Sequence, residues 1–247
     1  MIPDPDLPVP LSASAEAAAL AATVSETPSE VVVSTASTPF DTASLVQSAE
    51  RPAPGRKRPK PGERRIQILQ TLAAMLEQPG ADRVTTAALA TRLDVSEAAL
   101  YRHFASKAQM FEGLIEFIEE TVFSLVNKIQ AEEPQGIKQV EAIVTMLLSF
   151  AQKNQGMTRV LIGDSLVNEN ERLQVRVNQL HDRLEASLRQ SARVAATDGA
   201  LHATLDANAY ANAVMSFIIG RWHQFAKSGY KRLPTENLAQ SWAVFAG

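Results

Sequence analysis

The sequence predicts an all-α protein with three parts: a disordered tail, a three-helix domain that contains a helix-turn-helix, and a helical dimerisation domain. Three observations lead to this prediction. Apolar residues recur at helical spacing from residue 63 almost to the end of the 247-residue chain. Within this stretch, two short helical patterns are separated by only two residues. The segment 1–61 instead holds ten of the thirteen prolines and a single aromatic residue, a composition with too little apolar surface to fold.

Charge is strongly segregated near the N-terminus. Residues 1–50 carry seven acidic side chains and no lysine or arginine, whereas residues 51–65 carry seven basic side chains and one acidic one. The formal net charge of the whole chain, −3, conceals this reversal. Basic residues on a proline-stiffened segment before a folded domain predict an arm at 51–61 that contacts nucleic-acid phosphates. The alternatives are a flank that only keeps the chain soluble and, for residues 1–50, an inert tail.

Composition and motifs argue against enzymes and membrane proteins. The chain has no cysteine, which excludes disulfides, thiolate metal sites and a cysteine nucleophile. It also lacks a P-loop, a dinucleotide-binding glycine motif, a nucleophile elbow and an HExxH zinc motif. No apolar run is long enough to span a membrane, and the acidic, proline-broken start is unlike a signal peptide. We therefore expect a cytoplasmic protein without catalytic residues, metal or cofactor.

The N-terminal domain is predicted to begin with a helix over about residues 63–77 and to continue with a helix-turn-helix at about 85–104. Thr85 or Thr86 can cap the first helix of that unit, and Ser96 can cap the second. The inward residues of the helix at 63–77 are predicted from their spacing to be Ile66, Leu69, Ala73 and Leu76.

The spacing inside the helix-turn-helix supports this assignment. Ala90 lies where the two helices cross, and a larger side chain would hold their backbones apart. Asp94 lies at a turn position that usually requires a left-handed backbone, which Asp tolerates better than most residues. Val95 and Leu100 are expected to fill the angle between the helices. Such a tight pair of short helices is typical of DNA-binding proteins.

The run Leu100-Tyr101-Arg102-His103-Phe104, followed by Lys107, resembles the end of the recognition helix and the start of the next helix in TetR-family regulators. The segments ERRIQILQTLAAMLE, GMTRVLIGDSL and RLQVRVNQLHDRLEASLRQ extend the resemblance to one group of that family, the nucleoid occlusion factors, over roughly residues 62–247. The resemblance implies a homodimer that binds palindromic sites in double-stranded DNA. It also implies that the bound dimer antagonises the cell-division protein FtsZ at the nucleoid.

The chemistry of the helix-turn-helix residues indicates their DNA contacts. Leu100 and Phe104 lie one turn apart and should face inward. Arg102 can reach a guanine edge or a phosphate, unless it pairs with Glu97, and the alternative for Tyr101 is to cover the domain surface. Hydroxyls and a lysine at helix starts suit phosphates, and alanines suit thymine methyl groups. The expected DNA-binding set is Thr85, Thr86, Ser96, Ala98, Ala99, Tyr101, Arg102, His103 and Lys107.

The rest of the chain is predicted to be helical. Helices are expected at about 106–131, 137–154, 168–196 and 206–228, with a short helix after the second of these and another near Trp242 and Phe245. The helix at 106–131 is expected to bury Met110, Leu114, Ile118, Leu125 and Ile129. The helix at 168–196 carries a coiled-coil-like stripe of Leu173, Val177, Leu180, Leu184 and Leu188.

The helix at about 206–228 is the predicted dimerisation element. One of its sides holds Tyr210, Val214, Phe217 and Trp222, and beside them runs a line of small residues, Ala209, Ala213, Ser216 and Gly220. Small residues let another helix approach closely, and in the TetR family two such helices per subunit form a four-helix interface. The alternative is a seam within one chain. We expect a DNA-binding domain at 62–122 and a dimerisation and partner-binding domain at 123–247.

The resemblance also implies an FtsZ-binding surface, on Phe117, Met146, Ser149, Lys153 and Asn154. The alternative is that Phe117 and Met146 are ordinary core residues. Ser149 and Leu125 stand where relatives have Gly and Arg, so Leu125 cannot supply a charge. Two functions remain open: a nucleoid occlusion factor that inhibits FtsZ assembly, and a ligand-responsive TetR-type repressor with an effector pocket in its C-terminal domain.

Deleting the segment 51–62, which holds five of the basic residues, should weaken binding to any DNA duplex and flatten its dependence on salt, because fewer counterions are released. Deleting residues 1–50 is the control, and it should leave the salt dependence unchanged. Both follow from titrations at several salt concentrations. An unchanged slope after deletion of 51–62 would contradict the arm.

Overall fold

The computed structural model describes residues 63–78 and 84–246, and within these ranges every regular element is helical. The α-helices are α1 (Glu63–Leu76), α2 (Thr86–Leu93), α3 (Glu97–Tyr101), α4 (Lys107–Glu132), α5 (Gly136–Lys153), α6 (Gln155–Leu161), α7 (Glu171–Thr197), α8 (Ala207–Lys227) and α9 (Leu238–Trp242). A 3-10 turn at Asp164–Leu166 joins α6 to α7. The predicted all-α class is confirmed for these ranges, whereas the predicted tail and its basic arm lie outside them. In the part of the chain that is described, no helix is long and apolar enough to cross a membrane.

Helix α1 is the centre of the N-terminal part, where it packs against α2, α4 and α6. Its buried face differs from the predicted one at one position, since Ile66 is 50% exposed. Each residue advances about 100° around a helix, so Ile66 lies about 200° from Ile68, which is fully buried. Leu69, Leu72, Ala73 and Leu76 complete the buried face.

The remaining long helices form a bundle in which α7 packs against α4, α5 and α8. The predicted apolar stripe of α7 is confirmed, because all five of its residues are buried. On α4 the prediction was wrong beyond Ile118. The buried row continues in steps of four residues through Val122 and Val126, which turns Leu125 outward to 39% exposure and leaves Ile129 half-buried. Helix α4 runs unbroken through residue 122, and the domain division there stays a prediction.

The centre of the bundle is filled by a tryptophan. Trp222 on α8 is fully buried, and its indole N–H donates to the backbone carbonyl of Leu147 on α5, with 3.3 Å between nitrogen and oxygen. Its ring also contacts the imidazole of His181 on α7, with 5.9 Å between ring centres. One large side chain thus ties α5, α7 and α8 together and satisfies its own donor in the core, as a buried indole requires.

The end of α1 and the short helix α6 meet at a glycine. A Cβ atom added to Gly156 would lie 2.0 Å from the carbonyl oxygen of Ala73 on α1, which is far inside contact distance. The backbone N–H of Gly156 bonds the carboxylate of Glu77, directly after α1, and this bond lowers the pKa of Glu77. Burial raises that pKa more strongly, so the net shift is upward. Only a residue without a side chain permits this approach.

An arginine makes the reciprocal contact. Arg159 on α6 is buried, and its Nη1 donates to the carbonyl oxygen of Leu76, the last residue of α1, at 3.2 Å. Its Nε donates to Asp164 Oδ2 at 3.0 Å. A cation at a helix C-terminus and an anion at a helix N-terminus both complement the helix dipoles. We call Glu77, Gly156, Arg159 and the Leu76 carbonyl the α1–α6 clamp.

Gly156→Ala should open the α1–α6 clamp and lower the free energy of unfolding by about 1–3 kcal/mol, the usual cost of overpacking a tight contact. Urea denaturation measures this loss. Gln190→Ala, at an exposed position of α7, is the control and should change stability little. An alanine variant at 156 as stable as the unmodified chain would contradict the close approach of the two helices.

Candidate nucleic-acid interface

The turn between α2 and α3 has the predicted backbone. Asp94 has a φ of 52° and a ψ of 53°, in the left-handed region, and its backbone N–H bonds the carbonyl oxygens of Ala90 and Thr91 at the end of α2. Ala90 is buried, as expected of the small residue at the crossing. The local geometry of a helix-turn-helix is therefore present at 85–104.

Both helices of this unit begin with side-chain caps. Thr85 Oγ1 accepts a hydrogen bond from the backbone N–H of Ala88, and Ser96 Oγ accepts one from Ala99. Because each cap uses an oxygen lone pair, the hydroxyl hydrogens of Thr85 and Ser96 stay available to donate to a phosphate. Thr86 differs, since its hydroxyl donates to Glu97 Oε2 at 2.6 Å.

Helix α3 and the turn after it have one buried and one exposed side. Leu100 on α3 and Phe104 beyond its end are buried as predicted. On the other side lie five of the residues that were predicted to contact DNA. Ala98, Tyr101, Arg102 and His103 are exposed, and Ala99 is half-buried. Regular helix ends at Tyr101, so Arg102 and His103 lie in the turn that follows. Their contacts with DNA stay predictions.

The exposed guanidinium of Arg102 can donate to an acceptor outside the chain. The pairing with Glu97 considered from the sequence does not form, because the Glu97 carboxylate accepts from Thr86 instead. Among the residues that the structure describes, none forms a hydrogen bond or ion pair with the Arg102 guanidinium. An exposed guanidinium on the recognition-helix side can take a guanine edge or a phosphate.

Arg65 supports the end of α3, a role that sequence reasoning missed by counting it among the bases near the arm. Its Nη1 donates to the backbone carbonyl of His103 at 3.1 Å, and its guanidinium lies 4.1 Å from the centre of the Phe104 ring. A hydrogen bond to a carbonyl in the turn after α3 and a cation–π contact each stabilise this arrangement. Arg65 and His103 are 38 positions apart in the sequence, so no local pattern shows this contact.

Lys107, the first residue of α4, already has an anionic partner. Its ammonium donates to Oε1 of Glu169, which lies between the 3-10 turn and α7. It also lies 5.7 Å from the centre of the Phe111 ring. The predicted phosphate contact of Lys107 therefore has a competitor within the chain, and 62 residues separate the two partners.

The five residues predicted to bind FtsZ lie on or directly after α4 and α5, which pack against each other. Phe117, Met146 and Ser149 are half-buried, and Lys153 is exposed. The Asn154 side chain is not presented at the surface, because it is buried and its Nδ2 donates to the Phe150 carbonyl at 2.8 Å. It occupies the junction between α5 and α6, where the Phe150 carbonyl accepts from both the backbone N–H and the side chain of Asn154.

The line of small residues on α8 faces away from the chain's own core. Ala209, Ala213 and Ser216 are exposed and Gly220 is half-buried, whereas Tyr210, Val214 and Trp222 are buried. A Cβ atom added to Gly220 would meet nothing within 4 Å. Within the described part of the chain, no other helix therefore fills this seam.

Models of two protein families match the chain. Residues 68–114 match the bacterial regulatory proteins of the tetR family, and residues 134–247 match the tetracyclin repressor-like C-terminal domain of the SlmA-like type. Solved structures share the fold at low identity. PfmR from Thermus thermophilus superposes with a TM-score of 0.62 at 20% identity, over 73% of this chain and 97% of its own. FadR from Bacillus subtilis, in complex with stearoyl-CoA, gives 0.62 at 12% identity, over 74% of this chain and 97% of its own.

Relatives at much higher identity identify the branch of the family. The nucleoid occlusion factor SlmA of Idiomarina loihiensis is 48% identical over 181 residues, which cover 73% of this chain and 92% of the relative. The protein of the same name from Vibrio cholerae serotype O1 is 47% identical over 184 residues, or 74% of this chain and 94% of the relative. The chain belongs to the SlmA family of nucleoid occlusion factors, among the TetR-type DNA-binding regulators.

Proposed function

We propose that the chain is a sequence-specific DNA-binding nucleoid occlusion factor. Bound as a homodimer to palindromic chromosomal sites, it inhibits FtsZ assembly and so blocks division over the nucleoid. The observation that carries the proposal is the similarity to relatives named nucleoid occlusion factor across 92–94% of their own length. That similarity spans the helix-turn-helix and the C-terminal helices, so it covers both DNA reading and partner binding.

Two groups of residues in the helix-turn-helix are proposed to contact DNA, one at the bases and one at the phosphates. Arg102 reads a guanine edge or holds a phosphate, while the methyl groups of Ala98 and Ala99 suit thymine. The hydroxyls of Thr85 and Ser96 fix the register by donating to phosphates. The basic arm at 51–61 adds sequence-independent attraction.

A homodimer supplies the symmetry that a palindrome requires. The exposed line Ala209, Ala213, Ser216 and Gly220 lets the α8 helix of a second copy approach closely. Helix α7 packs along α8 in each chain, so two pairs of helices would build a four-helix interface. Two recognition helices about one DNA turn apart then contact successive major grooves.

The FtsZ-binding surface is proposed on α4 and α5. Phe117 and Met146, both half-buried, offer apolar side chains at the surface, as an interface anchor requires. Lys153, exposed at the end of α5, supplies a charge for the acidic or mixed-charge tail of FtsZ. Ser149 lies between Met146 and Lys153 on α5. The buried Asn154 follows them at the α5–α6 junction.

The second candidate is a ligand-responsive repressor, which the stearoyl-CoA complex of the structurally similar FadR favours. In the described residues the centre of the bundle is occupied by Trp222 and by fully buried leucines of α5 and α7. A shallow groove of about 220 Å³ lies between α7 and α8, with polar side chains such as Asn178, Asp182 and Asn212 at its edge. Because its edge is polar, the groove fits an acyl chain poorly. It also lies on the proposed dimer face.

Genome-wide mapping of bound DNA distinguishes the two candidates. A nucleoid occlusion factor should occupy many sites that spread over the chromosome and become sparse near the replication terminus. A local repressor should instead occupy one or a few sites beside the genes that it controls, and that pattern would contradict the proposal.

Arg102→Ala should weaken specific DNA binding by roughly 1–3 kcal/mol if the guanidinium reads a base. If Arg102 contacts only phosphate, all sequences should weaken alike and the salt slope should fall by about one unit. Binding to cognate and scrambled duplexes measures both. Arg193→Ala, at an exposed arginine of α7, is the control, and equal affinities for the two variants would remove Arg102 from the interface.

Lys153→Glu should abolish inhibition of FtsZ polymerisation while leaving dimerisation and DNA affinity intact, because it reverses the charge that meets the FtsZ tail. FtsZ sedimentation in the presence of the cognate duplex measures this. Lys138→Glu is the matched control, since Lys138 is exposed near the opposite end of the same helix. Full inhibition by the variant at 153 would exclude this end of α5 from the FtsZ contact.

A further inference from the structure

Glu169 forms an ion pair with Lys107, the lysine that follows the proposed recognition helix. Lys107 opens α4 three residues after Phe104, and its ammonium donates to the Glu169 carboxylate. The two side chains are 24% and 12% exposed, so water screens the pair less than it screens a surface ion pair. The bond joins the border of the helix-turn-helix to the turn that leads into α7.

We propose that Glu169 occupies, in the free protein, the place that a DNA phosphate takes on Lys107, and that this competition lowers DNA affinity. The inference rests on the proposed DNA-binding function and adds a residue that sets its strength. Carboxylate and phosphate oxygens both accept from an ammonium. The two anions also repel each other, so a phosphate arriving at Lys107 displaces Glu169.

The packing of α4 on α7 does not depend on this ion pair. Arg176 on α7 donates to Glu119 on α4, with 2.9 Å between Nη2 and Oε2. Arg183 on α7 lies 4.0 Å from the centre of the Phe123 ring on α4. Both contacts persist when Lys107 turns to DNA, so the exchange of partners leaves the bundle intact.

The start of α4 is also capped without Lys107. Ser106 Oγ accepts from the backbone N–H of Gln109, and Gln109 Oε1 accepts from the backbone N–H of Ala105. The lysine side chain is therefore not needed to begin the helix. A phosphate that takes Lys107 releases Glu169. If a ligand of Glu169 raises the affinity for DNA by some factor, DNA raises the affinity for that ligand by the same factor.

The test compares four variants of the full chain on two duplexes: one selected by the wild-type chain from random-sequence DNA, and one with its sequence scrambled. Glu169→Gln keeps the shape of the side chain and a hydrogen-bond acceptor but removes the charge. Glu119→Gln is the matched control, because it removes the negative charge from the ion pair that Glu119 on α4 forms with Arg176 on α7. Lys107→Gln, alone and combined with Glu169→Gln, completes a double-mutant cycle.

Glu169→Gln should bind both duplexes about two- to fivefold more tightly, in keeping with the strength of a partly exposed ion pair. Its salt slope should stay close to that of the wild type, because Lys107 meets a phosphate in both complexes and the number of counterions released from the DNA is the same. Glu119→Gln should match the wild type, and Glu169→Gln should have no effect in the Lys107→Gln background.

Equal or weaker binding by Glu169→Gln, or a gain that persists without Lys107, would overturn the competition. A wild-type chain that selects no duplex from random DNA would instead contradict the proposed function itself. The thermal midpoint of each variant, compared with that of the wild type, checks that the fold is retained.

Discussion

The α1–α6 clamp is the contact on which the arrangement of the molecule depends. Gly156 brings the α6 backbone against Ala73, Glu77 accepts from the start of α6, and Arg159 donates to the last carbonyl of α1. Because α1 also packs on α2 and α4, the clamp orients the helix-turn-helix relative to the C-terminal helices. In a dimer, that orientation sets the distance between two recognition helices, and thus which palindrome spacing the protein can read.

Helix α4 connects the two proposed activities. Its first residue, Lys107, stands beside the DNA-reading helix, and Phe117, in the proposed FtsZ surface, lies ten positions along the same helix. The middle of α4 packs on α7 through Arg176 and Glu119. The proposed DNA contact and part of the proposed FtsZ surface therefore lie on one continuous helix. This arrangement suits a protein that inhibits FtsZ only while bound to the chromosome.

Local features of the fold could be predicted from the sequence, whereas contacts between distant segments could not. The left-handed backbone at Asp94 and the buried Leu100 follow from neighbours within one turn. The burial predicted for Ile66 and Leu125 was wrong, because periodicity gives an apolar face but not its centre, which the neighbouring helices decide. The bond between Lys107 and Glu169 spans 62 residues. No spacing rule in one sequence connects partners so far apart.

The central claim is that this chain, when bound to its DNA, acts on FtsZ. The most direct test is sedimentation of FtsZ polymers with the wild-type chain, in the presence of its selected duplex, of a scrambled duplex, and of no DNA. We expect a clear loss of polymer with the selected duplex and little loss in the other two mixtures. Unchanged polymer in all three, from a chain that still binds the selected duplex, would contradict it.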